Sequence, residues 1–419
     1  MKCFHFSARD KNAGPTTTKS VSARPSFSTS ISMSVLADHD FRRSGSEFNS
    51  QIVSDYSTES TTKGSFDVFS QGQSNLIEFT FSELKMATKN FSRSLMIGEG
   101  GFGGVYRGVI RCSEDKNKKM DIAVKQLSRR GLQGHKEWVT EVNVLGVVEH
   151  SNLVKLLGYC AEDDERGIQR LLVYEYMPNR SVQDHLSLRF QTTLPWGTRM
   201  KIAQDSAQGL AYLHEGMDFQ IIFRDFKSSN ILLDGQWNAK LSDFGLARLG
   251  PSDGLSHVST AIVGTIGYAA PEYANTGHLT SKSDVWSYGV FLFELITGRR
   301  PLDQNRPKKE QKLLEWVRPH LSDSKKFRLI LDPMLEGKYS LGSAQKLAVV
   351  ANQCLARQAK ARPKMSEVLE MVSKIVNVTE IGSPPAPPPM KSLASKDAPE
   401  ISRRKHIKRM FKKPFIREG

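Results

Sequence analysis

The chain has 419 residues, is 39% hydrophobic and carries a formal net charge of +15 at pH 7. This length and composition favour one large globular unit with polar tails over several small domains. Four scattered cysteines, with no pair at metal-binding spacing, are too few for a disulfide framework and indicate a reducing compartment. No apolar run approaches the roughly 18 residues of a membrane span, and the sequence predicts neither a transmembrane helix nor a secretory signal.

The first 75 residues are rich in serine and threonine. Between Thr16 and Ser34, eleven of nineteen positions are one or the other. Such a segment buries too little apolar surface to offset its chain entropy, so we interpret residues 1–75 as a disordered N-terminal segment. Order is predicted to begin at Leu76, and the globular domain is predicted to span 76–380.

The first half of that domain has strand-like patterning. Helical spacing occurs over Phe81–Phe91. The stretch from Ser94 to about Ile168 is then rich in strands, with one helix around Glu137–Leu145. Ile122–Lys125 is typical of a short buried strand, and the polar segment Cys112–Met120 is predicted to be a loop.

From Val182 onward helices dominate. Helical apolar spacing recurs in Met200–His214, Val285–Ile296, Leu313–His320, Ala344–Ala356 and Met365–Val376. The pattern predicts an α+β fold with a small β-rich lobe followed by a larger helical lobe. The proline-rich run 383–389 is predicted to end the globular part, so 381–419 is interpreted as a Pro-rich linker and basic tail.

A glycine-rich loop, GEGGFG, spans Gly98–Gly103. Glycines let a backbone approach phosphates closely, because a Cβ would collide there. A similar pattern marks dinucleotide-binding folds, but in those the loop opens a helix, whereas here it continues into a β pattern at Val105 and Tyr106. The predicted nucleotide contacts in this region are Ile97, Gly98, Glu99, Gly100, Gly101, Phe102, Gly103, Gly104 and Val105.

Two charged residues occupy apolar surroundings. Lys125 lies in the predicted buried strand, and Glu141 lies on the apolar face of its helix. A buried charge is costly unless paired, so we predict that they pair and that Lys125 also holds nucleotide phosphates. The alternative is two ordinary surface charges. Val105, Ala123 and Leu232 are predicted to enclose a purine ring, and the backbone of Glu175 and Met177 to hydrogen-bond it.

Asp225 and Asn230 lie five residues apart in a predicted loop with Lys227 between them. Asp225 can accept a proton from an attacking hydroxyl, and Lys227 can neutralise a γ-phosphate. Asn230 can ligate Mg²⁺ together with Asp243. A lone Asp near a Lys is more often a solvated turn. The Asp-Phe-Gly that begins at Asp243 argues against that alternative.

The segment between Asp243 and Glu272 carries several hydroxyl side chains. Ser259, Thr260 and Thr265 are predicted phosphorylation sites, because Arg224 can pair with a phosphate placed there. Two further predictions are structural: a salt bridge between Glu272 and Arg362, and a scaffolding role for Asp284.

Five motifs in fixed order resemble the protein-kinase signature set: the glycine loop at 98–103, Ala-Val-Lys at 123–125, Phe-Arg-Asp at 223–225, Asp-Phe-Gly at 243–245 and Ala-Pro-Glu at 270–272. The stretch 79–376 further resembles the plant receptor-like cytoplasmic kinases of subfamily VII, through Phe79–Thr88, Gly131–Trp138, Arg224–Asp234 and Gly264–Tyr273. The resemblance implies a bilobal kinase fold, ATP and Mg²⁺ as cofactors and serine and threonine side chains of proteins as substrates. It also implies a place downstream of cell-surface receptor kinases, often in immune signalling.

The chain departs from that family in two places. Many relatives begin Met-Gly and are myristoylated, but Lys2 excludes this modification and leaves Cys3 as the acylation candidate. Where the family usually has His or Tyr before Arg-Asp, this chain has Phe223. Its ring is expected to pack on Phe244, with Leu145 and Leu156 completing an apolar column. An active enzyme is therefore expected. The alternative, a pseudokinase scaffold, is disfavoured because the predicted catalytic residues are all present.

The C-terminal tail concentrates positive charge. Residues 401–419 carry eight lysines and arginines against one glutamate. Together with an acylated Cys3, this tail predicts peripheral attachment to the cytoplasmic face of the plasma membrane. The alternatives are cytoplasmic or nuclear localisation. No nucleic-acid partner is expected, since the basic residues are not on a recognisable DNA-binding fold, and the sequence does not indicate an oligomeric state.

Overall fold

The structure is a computed structural model that describes residues 76–100, 103–111, 118–127, 132–164, 167–187 and 193–380. The predictions for Gly101, Phe102, Cys3, the N-terminal segment and the basic tail lie outside these residues. The predicted domain limits at 76 and 380 stay predictions.

All strands of the described residues lie between Ile77 and Leu279, and only helices follow from Ser281 onward. The strands are β1 (Ile77–Glu78), β2 (Met96–Gly100), β3 (Gly103–Arg111), β4 (Lys119–Leu127), β5 (Leu156–Cys160), β6 (Asp163–Asp164), β7 (Gly167–Ile168), β8 (Leu171–Glu175), β9 (Ile221–Ile222), β10 (Ile231–Leu233), β11 (Ala239–Leu241), β12 (Arg248–Leu249), β13 (Val258–Ser259) and β14 (His278–Leu279). The helices are α1 (Phe81–Ala87), α2 (Leu132–Leu145), α3 (Val182–Leu186), α4 (Trp196–Glu215), α5 (Pro271–Thr276), α6 (Ser281–Thr297), α7 (Leu313–Val317), α8 (Ser324–Phe327), α9 (Leu341–Cys354) and α10 (Met365–Glu380).

The first lobe is a six-stranded sheet in the order β1-β5-β8-β4-β3-β2, in which β1 runs parallel to β5. Side chains alternate between its faces, as a strand requires. In β4, Ile122 and Val124 contribute to an apolar cluster on the outer face, whereas Ala123 belongs to the main core. Lys125 falls on the same face as Ala123, which directs it toward the space between the lobes.

Helix α1 covers the outer face of that sheet. Thr80 and Glu83 form a capping box at its start, and Leu84 is fully buried in the outer cluster. The predicted helix through Phe91 is wrong at its end, because the helix stops at Ala87. The Thr88 hydroxyl then bonds back to the Leu84 carbonyl at 2.7 Å, and Lys89, Asn90 and Phe91 adopt positive φ.

Two other boundaries differ from the prediction. Strand β4 begins at Lys119, inside the predicted polar loop, because Lys119 pairs with Arg111 and extends the β3–β4 ladder. The backbone hydrogen bonds with β3 thus extend the strand into a segment whose polar side chains had indicated a loop. Helix α2 begins at Leu132, well before the expected start at Glu137. The prediction missed its first turns because they carry no apolar period.

The second lobe is helical, as predicted. Helix α6 lies at its centre and is buried along nearly its whole length. The predicted helix Leu313–His320 is α7 followed by a 3₁₀ turn, because Pro319 cannot donate a backbone hydrogen bond. The predicted helix Ala344–Ala356 begins earlier, where Ser340 caps α9, and ends at Cys354.

The described residues therefore form an α+β bilobal fold with a β-rich first lobe and a larger helical second lobe, which confirms the predicted fold class. Within the part of the chain that the structure describes, no helix is both long and apolar enough to cross a membrane.

Candidate active site

The described glycines of the loop lie on two paired strands. Gly98 pairs with Val105 and Gly100 with Gly103 across β2 and β3. Gly103 has φ +131°, a conformation that favours glycine. The strand β3 confirms the β pattern predicted after the loop, and this arrangement differs from the strand-to-helix turn of dinucleotide-binding folds.

Lys125 lies between two carboxylates. Its ammonium donates to Glu141 at 2.5 Å and to Asp243 at 2.8 Å. Glu141 is fully buried, so its side chain needs this partner. The predicted pairing of Lys125 with Glu141 is confirmed, and Asp243 joins the same cluster.

The pKa values reflect this contact. Burial disfavours the charged forms, but the two carboxylates outweigh it and raise the pKa of Lys125. Burial likewise opposes ionisation of Asp243, but Lys125 outweighs it and holds the pKa of that carboxyl below its usual value. Lys125 therefore stays cationic, which suits a side chain predicted to bind phosphate.

Glu141 has a second partner that the sequence did not reveal. The Tyr174 hydroxyl donates a short hydrogen bond to the Glu141 oxygen not in contact with Lys125. Tyr174 lies opposite Ala123 in the β4–β8 ladder, so the sheet itself aims this hydroxyl at helix α2. The only available signal was a tyrosine in an otherwise apolar strand.

Asp225 is the centre of the hydrogen-bonded loop that was predicted to be catalytic. Lys227 donates to one carboxylate oxygen at 2.6 Å, and Thr265 donates to the other at 2.7 Å. Lys227 also donates to the Thr265 hydroxyl at 3.0 Å. The structure thus brings Asp225 and Lys227 together as predicted and adds Thr265 to them.

The contacts of Thr265 bear on its predicted phosphorylation. Its side chain is buried and its hydroxyl is engaged by Asp225 and Lys227. In this structure the hydroxyl bridges Asp225 and Lys227. Phosphorylation of Thr265 stays a prediction that would require the segment to move.

The β10–β11 hairpin brings the two predicted metal ligands near each other. Ile231 pairs with Leu241, and Ser242 donates its backbone N–H to the Asn230 carbonyl at 2.8 Å. Asp243 follows Ser242 directly. The Asn230 amide is oriented by its donation to the Asp225 carbonyl at 3.0 Å.

Asp284 holds the backbone that leads into the catalytic loop. Its two oxygens accept the N–H groups of Phe223 at 2.7 Å and Arg224 at 2.8 Å. His214 contacts the same carboxylate at 2.8 Å. The scaffolding role predicted for Asp284 is confirmed.

The predicted contact between Phe223 and Phe244 is present. The rings of Phe223 and Phe244 lie 4.9 Å apart, edge to face, and both are fully buried. Leu145 and Leu156 belong to the same core cluster. A phenylalanine before Arg-Asp therefore packs as expected.

Arg224 reaches the predicted phosphorylation segment. Its guanidinium donates to the Thr260 hydroxyl at 3.0 Å and to Tyr273 at 2.9 Å, and it also bonds the Ala261 carbonyl. Ser259, in β13, is exposed and lies opposite His278 in β14. Farther along, Glu272 and Arg362 form the predicted salt bridge, with two contacts of 2.6 and 2.7 Å.

The predicted purine-binding residues come from both lobes. Val105 and Ala123 lie on the first-lobe sheet, and Leu232 lies in β10. Met177 is buried just beyond β8. The Glu175 side chain has a structural role that the sequence did not indicate: it accepts from Lys240 at 2.8 and 2.9 Å.

Comparison with known proteins agrees with this geometry. Residues 91–372 match the family described as protein tyrosine and serine/threonine kinase. The chain belongs to this family. It is 68% identical to the serine/threonine-protein kinase PCRK1 of Arabidopsis thaliana over 401 residues, covering 95% of this chain and 94% of that relative.

Two further relatives narrow the assignment. The chain is 64% identical to the serine/threonine-protein kinase PCRK2 of Arabidopsis thaliana, covering 97% of this chain and 95% of the relative. It is 53% identical to the EPD1-interacting receptor-like cytoplasmic serine/threonine-protein kinase 5A of Gossypium barbadense, covering 73% and 66%. The chain is a serine/threonine protein kinase of the plant receptor-like cytoplasmic type, as its motifs predicted.

Proposed function

We propose that this kinase transfers the ATP γ-phosphate to serine and threonine hydroxyls, with Asp225 accepting the hydroxyl proton. The observation that carries the proposal is the Lys125–Glu141–Asp243 cluster, an ion-paired arrangement with the lysine cation at its centre. Lys227, 2.6 Å from Asp225, is placed to neutralise charge on the transferred group.

Protein kinases in general use ATP and Mg²⁺, and the residues here fit both. Asn230 and Asp243 supply the amide and carboxylate oxygens that Mg²⁺ prefers. Bound Mg²⁺ would supply charge neutralisation of the phosphates. Lys125 would hold the phosphates, and Val105, Ala123 and Leu232 would enclose the purine.

The test is phosphorylation of a generic protein substrate by purified full-length chain, with and without Mg²⁺. We expect Mg²⁺-dependent transfer, and phosphoserine and phosphothreonine on acid hydrolysis. ATP binding without turnover would favour the alternative, a pseudokinase scaffold, whereas dominant phosphotyrosine would overturn the substrate assignment.

We also propose that phosphorylation of Ser259 or Thr260 activates the enzyme. Arg224 already contacts the Thr260 hydroxyl, so a phosphate of about −2 charge there would meet a guanidinium. Burial lowers the pKa of Arg224, which a nearby phosphate would counteract. Mass spectrometry of active protein should find phosphate at these sites, and full activity of the Ser259→Ala/Thr260→Ala protein would contradict the proposal.

For its cellular setting, we propose that the kinase acts at the plasma membrane downstream of receptor kinases, in defence signalling. The support is the family resemblance, together with Cys3 and the basic tail as two weak membrane signals. Imaging of Cys3→Ser, of a deletion from Ile401, and of both should show membrane fluorescence weakened in each and lost in the combination. Retention of the double variant at the cell periphery would contradict both anchors. Receptor kinases should co-purify with the membrane-bound chain.

A further inference from the structure

The segment 264–268 borders the place where a substrate hydroxyl must lie. Its Thr265 donates to Asp225 at 2.7 Å, and Asp225 is the residue proposed to accept the hydroxyl proton. Gly264 is also near, because a Cβ there would lie 3.9 Å from an Asp225 carboxylate oxygen. Ile266 is 45% exposed. A peptide that brings its hydroxyl to Asp225 therefore passes over this segment.

A second segment, residues 299–313, packs against the first. A Cβ on Gly267 would lie 3.0 Å from the Pro301 side chain and 3.7 Å from the Leu302 side chain. Gly267 has φ +97°, so glycine suits both its backbone conformation and this close approach. The segment 299–313 is thus a direct neighbour of the surface over which a substrate peptide passes.

The segment 299–313 folds back on itself. The Leu313 backbone N–H donates to the Pro301 carbonyl at 3.0 Å, which closes its base. The guanidinium of Arg299 donates to the Glu310 carboxylate at 2.8 Å. Glu310 ends a 3₁₀ turn that begins at Lys308. This turn therefore lies beside Arg299, close to the start of the segment and to its contact with residues 264–268.

Positive charge is in excess on this segment. Residues 299–313 carry six lysines and arginines against two acids. Three of the cations are already paired with acids: Arg299 with Glu310, Arg306 with Asp303 and Lys312 with Glu315. The remaining three are exposed and have no ion pair with any residue that the structure describes: Arg300, Lys308 and Lys309.

The charge of Arg300 acts on the substrate side of the segment. Burial raises the pKa of the Glu294 carboxyl to about 8, and the positive charge of Arg300 is among the influences that oppose this rise. Glu294 contacts the Tyr268 hydroxyl, so it lies against the segment 264–268. The electrostatic effect of Arg300 therefore extends to the segment that borders the substrate hydroxyl.

We propose that Arg300, Lys308 and Lys309 select substrates with aspartate or glutamate within a few positions of the phosphorylated serine or threonine. The proposal rests on the proposed function, since it takes Asp225 as the residue that meets the substrate hydroxyl. An extended peptide spans about 3.3 Å per residue, so side chains a few positions from the acceptor pass over the segment 264–268 and its neighbour. Exposed cations bordering that path attract acidic side chains and repel basic ones.

The test compares three peptides that share one serine acceptor and carry glutamates, glutamines or lysines on both sides of it. We expect the full-length chain, with ATP and Mg²⁺, to phosphorylate the glutamate peptide with a kcat/KM about tenfold above that of the glutamine peptide. Each exposed ion pair contributes a few-fold at most, and three act together. The preference should shrink as the ionic strength rises, because exposed charges are screened.

Charge reversal provides the decisive variant. Arg300→Glu/Lys308→Glu/Lys309→Glu should make the lysine peptide the best of the three, and a gain of activity on one peptide cannot come from a loss of folding. Lys308→Glu/Lys309→Glu should reduce the preference for glutamate. Its matched control is Lys325→Glu/Lys326→Glu, which reverses two exposed lysines on helix α8, where Ser324 contacts Gln345 of α9. The control should keep the wild-type order.

Three results would overturn the selection. The first is an equal kcat/KM of the wild-type chain for the glutamate and glutamine peptides. The second is the wild-type order in the charge-reversed variant. The third is an equal change of order in the control, because net charge would then be the cause and not this segment. Failure of the proposed function looks different: no peptide and no protein substrate would be phosphorylated, and both proposals would fall together.

Discussion

Glu141 and Glu294 are both buried glutamates in helices, one in each lobe, and both contact a tyrosine hydroxyl. They differ in their other partner. Glu141 contacts the Lys125 ammonium, whereas Glu294 contacts the Ser228 hydroxyl. Lys125 also contacts Asp243, so the first cluster is ionic and has the lysine cation at its centre. The second cluster has only hydroxyl partners among the described residues, and it joins the loop at Ser228 to the segment at Tyr268.

The largest effect should come from Asp225, which lies in the loop that the Glu294 cluster contacts through Ser228. Asp225→Asn keeps the size of the side chain but removes the carboxylate that is proposed to accept the hydroxyl proton. We expect phosphoryl transfer to fall by about 10² or more while ATP still binds. Single-turnover assays with a peptide, alongside nucleotide titration, measure both. Activity within a few-fold of wild type would remove Asp225 from the proposed mechanism.

The next effect tests whether the charged cluster is one unit. Lys125→Met and Glu141→Gln should each reduce activity about tenfold or more, and the double variant should be little worse than the worse single one, because either change destroys the same pair. Rates of the four proteins form a double-mutant cycle. Additive losses would contradict functional coupling of the pair.

The smallest effects compare the two tyrosines directly. Tyr174→Phe leaves Glu141 in contact with Lys125, so we expect kcat to change by less than about threefold. Tyr268→Phe leaves Glu294 with one hydroxyl and no cation, so we expect the larger loss, about tenfold. The two variants remove the same atom, and each is the control for the other. A larger loss in Tyr174→Phe would reverse the distinction between the clusters.

The sequence allowed one of these clusters to be predicted and not the other. Lys125 and Glu141 each interrupt an apolar pattern, and opposite charges have an obvious partner in each other. Glu294 interrupts an equally apolar helix, but its partners are a serine and a tyrosine from two distant loops. Hydroxyls bond many groups, so their partners depend on tertiary structure. The same reason explains why the contact of Thr265 with Asp225 was missed.

Element boundaries follow the same rule. The helices of the second lobe were predictable from their apolar period, whereas their ends depend on caps such as Ser340 and on Pro319. The early start of β4 depends on a partner strand that no local pattern shows. Local sequence thus indicates which helices and strands exist, whereas capping residues and partner strands determine where each one begins and ends.

The parallel strand β1 and helix α1 have a practical consequence for where this chain can be cut. Both precede residue 91, at which the match to the kinase family begins. Gly158 permits the close approach of β1, because a Cβ there would lie 1.9 Å from the Ile77 carbonyl oxygen. A fragment begun at the family boundary would expose Ile122, Val124 and their apolar neighbours to water, and such a patch promotes aggregation. An expression fragment should therefore begin upstream of Ile77.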